Sequence, residues 1–356
     1  MSQPARPTST TYGVSTVGLD LAAAVEVAAQ ADAAGVEAVW ASELYSMSAT
    51  VALAAMATGT ARCRLGSSIL YGVGRTPLVL AADARSLDAL SGGRLVLGLG
   101  NGTTRMLRDW HGADPSAPAL RMEELVTVLR KLWRIHEGPV RHDGRFYHVD
   151  VTPTGDVTPP AREHIPVYTA GVNPRMVEVA GRVADGLVGH PLCTVGYVDD
   201  VVRPAIHRGA EHAERSPANV TLAGMVICAV DDDEEHARRQ AAAQIAFYAS
   251  VKSYERPLAL AGFAAEAATI REAFARRDLP AMAAAVPDAM IDAIAVAGTP
   301  AQVRAGLTRY DGALDHVILY APGLGLPPEQ AARNVRRLVD LAASTADGGP
   351  AVSAAP

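Results

Sequence analysis

Four short segments of this chain combine residue types that could do chemistry. In Trp40-Ala-Ser-Glu43-Leu-Tyr45 a carboxylate follows an apolar run, where it could take a proton or hydrogen-bond a ring held nearby. Capping the following helix is the plain structural use of the same residue. In Gly66-Ser67-Ser68-Ile69-Leu70-Tyr71-Gly72-Val73-Gly74-Arg75, small and hydroxylated residues let a ligand approach the backbone, although an ordinary glycine-rich loop reads the same way. The third segment, Gly98-Leu-Gly100-Asn101-Gly102, has the look of a dinucleotide fingerprint. No acidic residue ends a strand about 20 residues later, and the first strand–helix unit lacks glycines, so an open nucleotide-binding sheet is disfavoured. The glycines fit better as space for a flat ring, with Arg105 and Arg108 nearby either for anionic groups or as solvated surface charge.

The fourth segment, Thr169-Ala170-Gly171-Val172-Asn173-Pro174-Arg175, carries the most explicit physics. Asn suits an N-cap, Pro suits the first helical position, and a preceding Gly lets backbone N–H groups turn outward. Such a helix N-terminus suits an anion, above all a phosphate, while plain capping is the alternative. His190, followed by Pro191, ends another apolar run. It is a candidate proton donor or substrate contact, against the commoner use of a lone histidine as a structural hydrogen-bonder. His111 is a weaker candidate of the same kind, and Tyr71, Thr103 and Thr104 stand where they could line a substrate.

These segments must be held by something, and the rest of the sequence indicates what. Apolar runs of strand length alternate with helical patterns, which is the signature of strand–helix units around a parallel sheet. Eight runs qualify: 12–15, 36–42, 64–70, 94–99, 165–170, 186–190, 221–230 and 315–320. Between them, Pro77 opens a helix that Gly92-Gly93 closes, and Met122, Leu125, Val126, Leu129, Leu132 and Trp133 form a helical stripe. Thr299-Pro-Ala-Gln302 is a capping box. Eight strands with intervening helices predict a closed (β/α)₈ barrel, an α/β fold whose active site lies at the C-terminal strand ends. Every segment above falls at such an end. One barrel domain is expected over 12–345, with insertions at about 140–165, as a hairpin, and at 231–290, as helices. Residues 1–11 are expected to be flexible and 346–356 disordered.

Composition narrows the function. Over 356 residues, 49% are hydrophobic and 20% charged, and the net charge is -6, so there is no basic field for nucleic acid. Cys63, Cys193 and Cys228 fall in no ligand or redox pattern, and no metal site is expected. No apolar run reaches the about 18 residues of a membrane span, and the polar N-terminus lacks a signal-peptide core, so a cytoplasmic protein acting on a small molecule is expected.

Taken together, Arg75-Thr-Pro77, Leu87-Asp-Ala-Leu-Ser-Gly-Gly-Arg94, Leu97-Gly-Leu-Gly100, Arg121-Met-Glu-Glu124, Gly144-Arg-Phe-Tyr147, Ile165-Pro-Val-Tyr168, Ala184-Asp-Gly186 and Ala297-Gly-Thr-Pro300 resemble the luciferase-like monooxygenase superfamily. The resemblance spans roughly 12–345. Within it the chain is most similar to the F420-dependent branch that includes methylenetetrahydromethanopterin reductase and F420-dependent glucose-6-phosphate dehydrogenase. That resemblance implies a luciferase-like barrel with the deazaflavin ring of coenzyme F420 in its mouth. It also implies a non-prolyl cis peptide at Ser68-Ile69 behind the ring, and phosphate contacts from Ala170, Gly171, Val172 and Asn173. Glu43, Gly100, Asn101 and Gly102 join Ser68 and Ile69 as cofactor neighbours, and Glu43 and His190 are the catalytic candidates.

The alternative within the superfamily is an FMN-dependent monooxygenase fed by a separate reductase. A homodimer is expected from the family's habit. Departures concern the substrate. The sugar-phosphate enzyme has Asp-His where this chain has Glu43-Leu44, a glutamate at Thr103 and a lysine at Cys193, so sugar-phosphate oxidation is not expected.

Overall fold

A computed structural model describes residues 10–346. The segments expected to be flexible or disordered lie outside the described residues, apart from Thr10, Thr11 and Ala346. Thr10 and Thr11 are held in place: the Thr10 hydroxyl donates to the Leu314 carbonyl at 2.9 Å, and Thr11 opens the first strand.

The strands are β1 (Thr11–Ser15), β2 (Ala38–Ala41), β3 (Arg64–Ser67), β4 (Leu70–Tyr71), β5 (Leu95–Gly100), β6 (Val140–Asp143), β7 (His148–Val151), β8 (Val167–Ala170), β9 (Gly186–Gly189), β10 (Thr221–Val230), β11 (Ala295–Gly298) and β12 (His316–Tyr320). Eight of them, β1, β2, β3, β5, β8, β9, β10 and β12, close into a parallel ring, because β10 pairs with both β9 and β12 while β12 pairs with β1. This is the expected (β/α)₈ barrel. Its strands are almost wholly buried, since side chains fill the interior and helices cover the outside.

Two features differ from the sequence reading. The third strand does not run through to Leu70: it stops at Ser67, the Ser68–Ile69 peptide is cis, and pairing resumes as β4 against β5. A ninth parallel strand, β11, pairs with the second half of β10 at Ile227–Val230, beyond the point where β9 has ended. Its four residues, Ala-Val-Ala-Gly, have the composition of the helices around them, so no period marked it as a strand.

Alternation along the strands turns Ala38, Trp40, Val96, Tyr168, Val188 and Ile318 into one buried interior cluster. Trp40 occupies the middle because Gly66 beside it has no side chain; a Cβ there would overlap the indole. The Trp40 indole N–H donates to Nε2 of His316 at 3.0 Å, so the proton of that ring sits on Nδ1, which donates to the Thr11 hydroxyl at 2.8 Å. Burial, followed by the nearby Arg64 charge, pushes the His316 pKa down to about 3, and the ring is neutral.

At the N-terminal end of the barrel, Asp88 and Arg94 are held by several hydrogen bonds each. Asp88 is 1% exposed and receives Nε and Nη2 of Arg162 at 3.0 and 2.6 Å. Arg94 donates to the Ser91 and Cys63 carbonyls and to the Thr60 hydroxyl. The Leu87–Arg94 motif therefore locks the helix Pro77–Leu90 to the start of β5. At the same helix's other end the Thr76 hydroxyl accepts from the Val79 N–H and Pro77 takes the first position.

β6 and β7 form the expected antiparallel hairpin, and helices fill most of the segment between β10 and β11. Those helices build a second apolar cluster against Leu192, Ile227 and Tyr320. They also carry Tyr248 and Tyr254 to the C-terminal mouth.

Candidate active site

Above the Trp40 layer, Ile69, Ala170 and Met225 lie partly buried on the interior cluster and form an apolar floor. The three glycines that end β5 explain that floor. At Gly98 a Cβ would overlap the Ser67 carbonyl, so this glycine admits the backbone that projects where β3 breaks off. At Gly100 a Cβ would stand 2.8 Å from the Ile69 side chain and 3.4 Å from Ala170. Gly102 has φ +67°, and a Cβ there would press on Tyr71 at 2.9 Å. The expected opening for a flat ring is thus used first by the protein's own Ser67–Tyr71 segment. The surface left above these glycines is formed by Ile69 and Ala170 rather than by bare glycine.

Glu43 is placed differently from a free base. Its carboxylate is gripped by Arg75 through two bonds of 2.7 and 2.6 Å and accepts the Tyr71 N–H at 2.9 Å. Its own N–H donates to the Ile69 carbonyl at 3.0 Å. Both oxygens are engaged, and the group clamps the segment that follows the cis peptide. Arg75, 32 residues away in sequence, gave no signal of this pairing. Ser68 is buried at 7% exposure, and its carbonyl accepts the Ser42 hydroxyl at 2.7 Å.

Tyr71 is buried against the His111 ring, with centroids 4.8 Å apart. Burial, with smaller contributions from Glu43 and Tyr254, pushes its pKa up to about 12. Thr103, expected toward substrate, instead caps the helix Thr104–His111 by accepting the Met106 N–H at 3.2 Å, and Thr104 is exposed at that helix's first position. Arg105 and Arg108 are exposed and pair with Asp109, the surface reading of those charges. Asn101 donates to the Pro118 carbonyl at 3.1 Å, while its buried Oδ1 has no partner among the described residues; Nε2 of His111 is likewise buried and has none among them.

Ala170 ends β8, and Gly171, Val172 and Asn173 lead into the helix Pro174–Val183. Asn173 holds the cap position with extended backbone, but its side chain makes no capping bond, which corrects the expectation of an ordinary cap. Among the described residues, no protein acceptor meets the N–H groups of Gly171, Val172, Asn173 or Arg175. The Val172 carbonyl is held back by the Tyr197 hydroxyl at 2.8 Å. Four free donors at a helix N-terminus, beside the floor, suit an anion.

His190 follows β9 and joins an aromatic wall absent from the sequence reading. Its ring stacks on Tyr254 at 3.9 Å and meets the edge of Tyr248 at 4.8 Å, and the Tyr248 hydroxyl donates to that of Tyr320 at 3.2 Å. The ring keeps part of its surface open, yet packing among these side chains pushes its pKa down to about 3. Tyr248 and Tyr254 come from the helical stretch after β10, more than 50 residues along the chain, where no spacing pointed to the mouth.

Cys63, Cys193 and Cys228 are free, and burial pushes each pKa up to about 12. Among the described residues no cluster of three or more His, Cys, Asp or Glu could hold a metal ion, and no helix is long and apolar enough to cross a membrane.

Known proteins resemble this chain in sequence and fold. The model of the luciferase-like monooxygenase family matches residues 2–316. The 5,10-methylenetetrahydromethanopterin reductase of Methanopyrus kandleri is 28% identical over 272 residues, covering 72% of this chain and 75% of that protein. The solved structure of coenzyme F420 dependent tetrahydromethanopterin reductase from the same organism superposes with a TM-score of 0.75 at 25% identity, covering 92% of this chain and 97% of that one. The oxygenating constituent of 3,6-diketocamphane monooxygenase from Pseudomonas putida, solved with FMN, shares the fold at a TM-score of 0.67 and 16% identity over 94% and 98% of the two chains. With a family match over most of its length and the barrel closed as that family's is, the chain belongs to the luciferase-like monooxygenase family.

Proposed function

We propose that the protein is an oxidoreductase that uses coenzyme F420 to move a hydride to or from a small organic substrate. The observation that carries this reading is the row of unmet N–H donors from Gly171 to Asn173 next to the Ile69–Ala170 floor. The donors fit a phosphate and the floor fits the face of a flat ring. The unpaired Oδ1 of Asn101 adds a buried acceptor in the same region. Similarity to F420-dependent proteins across most of the chain supports F420 over FMN as the occupant.

When bound, the deazaflavin supplies or accepts the hydride at C5. The protein's own share is to bind and orient. The Glu43–Arg75 clamp fixes Tyr71 and the Ser68–Ile69 segment, Ile69 and Ala170 set the plane of the ring, and Gly171–Asn173 hold the anionic end. The aromatic wall of Tyr254, Tyr248 and Tyr320 covers the substrate side and limits access of water.

The test is an anaerobic assay with F420 deuterated at C5 in its reduced form and a panel of carbonyl, imine and alkene acceptors. Deuterium recovered in a product supports the proposal. Oxygen consumption with reduced FMN supplied by a separate reductase, and none with reduced F420, would replace it with a two-component monooxygenase.

A further inference from the structure

We propose that His190, fixed in its neutral Nε2–H tautomer, is a hydrogen-bond donor that selects an uncharged oxygen acceptor of the ketone, aldehyde or enone class in the mouth. That this acceptor is the substrate rests on the hydride-transfer reading; the tautomer and the ligand class do not.

The tautomer follows from one bond. The Leu192 N–H donates to Nδ1 of His190 at 3.2 Å, so Nδ1 keeps its lone pair and the ring proton sits on Nε2. Nε2 itself meets no acceptor among the described residues, on a ring that is only partly covered. The Cys193 N–H donates to the His190 carbonyl at 2.9 Å and fixes the backbone of the same turn. Inward alternation along β9, with Gly186 and Val188 turned to the interior, directs His190 to the lumen as well.

A histidine that works as a base normally has a carboxylate on its second nitrogen to stabilise the imidazolium. His190 has a backbone donor there, which opposes protonation. The titratable groups packed on it are the Tyr248 and Tyr254 phenols and, on its own turn, the Cys193 thiol. Burial raises the pKa of all three, and all are neutral at pH 7. The charged residues flanking Tyr254, namely Lys252, Glu255 and Arg256, are exposed. Glu43 and Arg75, which hold Tyr71 at the mouth, neutralise each other. At the His190 ring itself a ligand therefore meets aromatic faces and one N–H donor, with no counterion; the anion-suited N–H groups of Gly171–Arg175 belong to the loop after β8, which the hydride-transfer reading gives to the cofactor phosphate. A carboxylate or ammonium would lose its hydration with nothing in exchange, whereas a carbonyl oxygen trades one hydrogen bond for another.

The experiment is long-range proton–nitrogen NMR of cofactor-free protein labelled with nitrogen-15 histidine, with His190→Gln assigning the resonance. The experiment should show the Nε2–H pattern throughout about pH 5 to 8, the range in which an ordinary histidine titrates. Cyclohexanone should also shift the Nε2 resonance, while cyclohexanecarboxylate and cyclohexylammonium leave it in place. Cyclohexanone affinity, read from the quenching of tyrosine fluorescence, should fall about ten-fold, the size of one neutral hydrogen bond, in His190→Phe, which keeps an aromatic ring and removes the donor. An Nδ1–H pattern, titration within that range, a response to the carboxylate, or no response to cyclohexanone would overturn the proposal. Loss of F420 binding by the wild-type protein would instead remove the hydride-transfer reading and leave the tautomer result standing.

Discussion

At the N-terminal end of the barrel, Asp88 meets Arg162 through both oxygens, and Arg94 satisfies the Ser91, Cys63 and Thr60 carbonyls and the Thr60 hydroxyl. At the mouth, Oδ1 of Asn101, Nε2 of His111 and the N–H groups from Gly171 to Asn173 have no protein partner among the described residues. Buried polar groups without partners cost stability, so one end is built to hold the fold and the other keeps donors and acceptors free for a ligand. The contrast also separates resemblance from chemistry. The most distinctive stretch of the sequence, Leu87–Arg94, belongs to the structural end.

The contrast predicts unequal responses to mutation. The largest loss is expected at the structural end: Asp88→Ala leaves Arg162 without its partner and should cost about 3 kcal/mol or more of unfolding free energy in urea melts. Ligand affinity of the folded fraction should be unchanged. Equal damage to both would mean that the two ends are coupled.

Acid should act next. The His316 pKa is about 3 folded and about 6.5 unfolded, so the unfolded chain binds the extra proton between these values. Its contribution is complete above pH 6.5 and is lost as pH falls toward 3, at up to about 1.4 kcal/mol per pH unit. His316→Gln should flatten the pH dependence of stability by that slope, and an unchanged slope would contradict the Trp40–His316–Thr11 chain.

At the mouth the effects should be on binding. Glu43→Gln weakens the hold on Arg75 and should cost about 1 kcal/mol of stability, with a larger relative loss of cofactor affinity because the Ser68–Tyr71 segment loosens. A free general base at this position would instead give normal binding and a changed pH–rate profile. The smallest effect is expected at Asn173. Thr76→Ala should cost about 1 kcal/mol, the usual worth of a side-chain cap. Asn173→Ala, removing no such bond, should stay within about 0.5 kcal/mol in thermal melts.

Sequence reading located the barrel because strand–helix alternation repeats along the chain, and it pointed to the helix N-terminus with the Gly171–Asn173 donors because Gly, Asn and Pro have local backbone meaning. It missed β11, whose Ala-rich run has no period of its own. It also missed the Arg75 partner of Glu43, and the wall formed by Tyr248, Tyr254 and Tyr320. Those depend on residues brought together only by closure of the barrel and by the helices after β10. The glycines ending β5 were legible as a need for space, but what fills the space, the Ser67 carbonyl and the Ile69 side chain, was not.

The most direct test of the central claim is titration of the purified protein with F420 and with FMN, followed by fluorescence and absorbance. Saturable binding of F420 is expected, weakened when the Val172 N–H is removed by Val172→Pro while the fold, read by circular dichroism, is retained. Saturable binding of FMN with none of F420 would contradict the F420 reading.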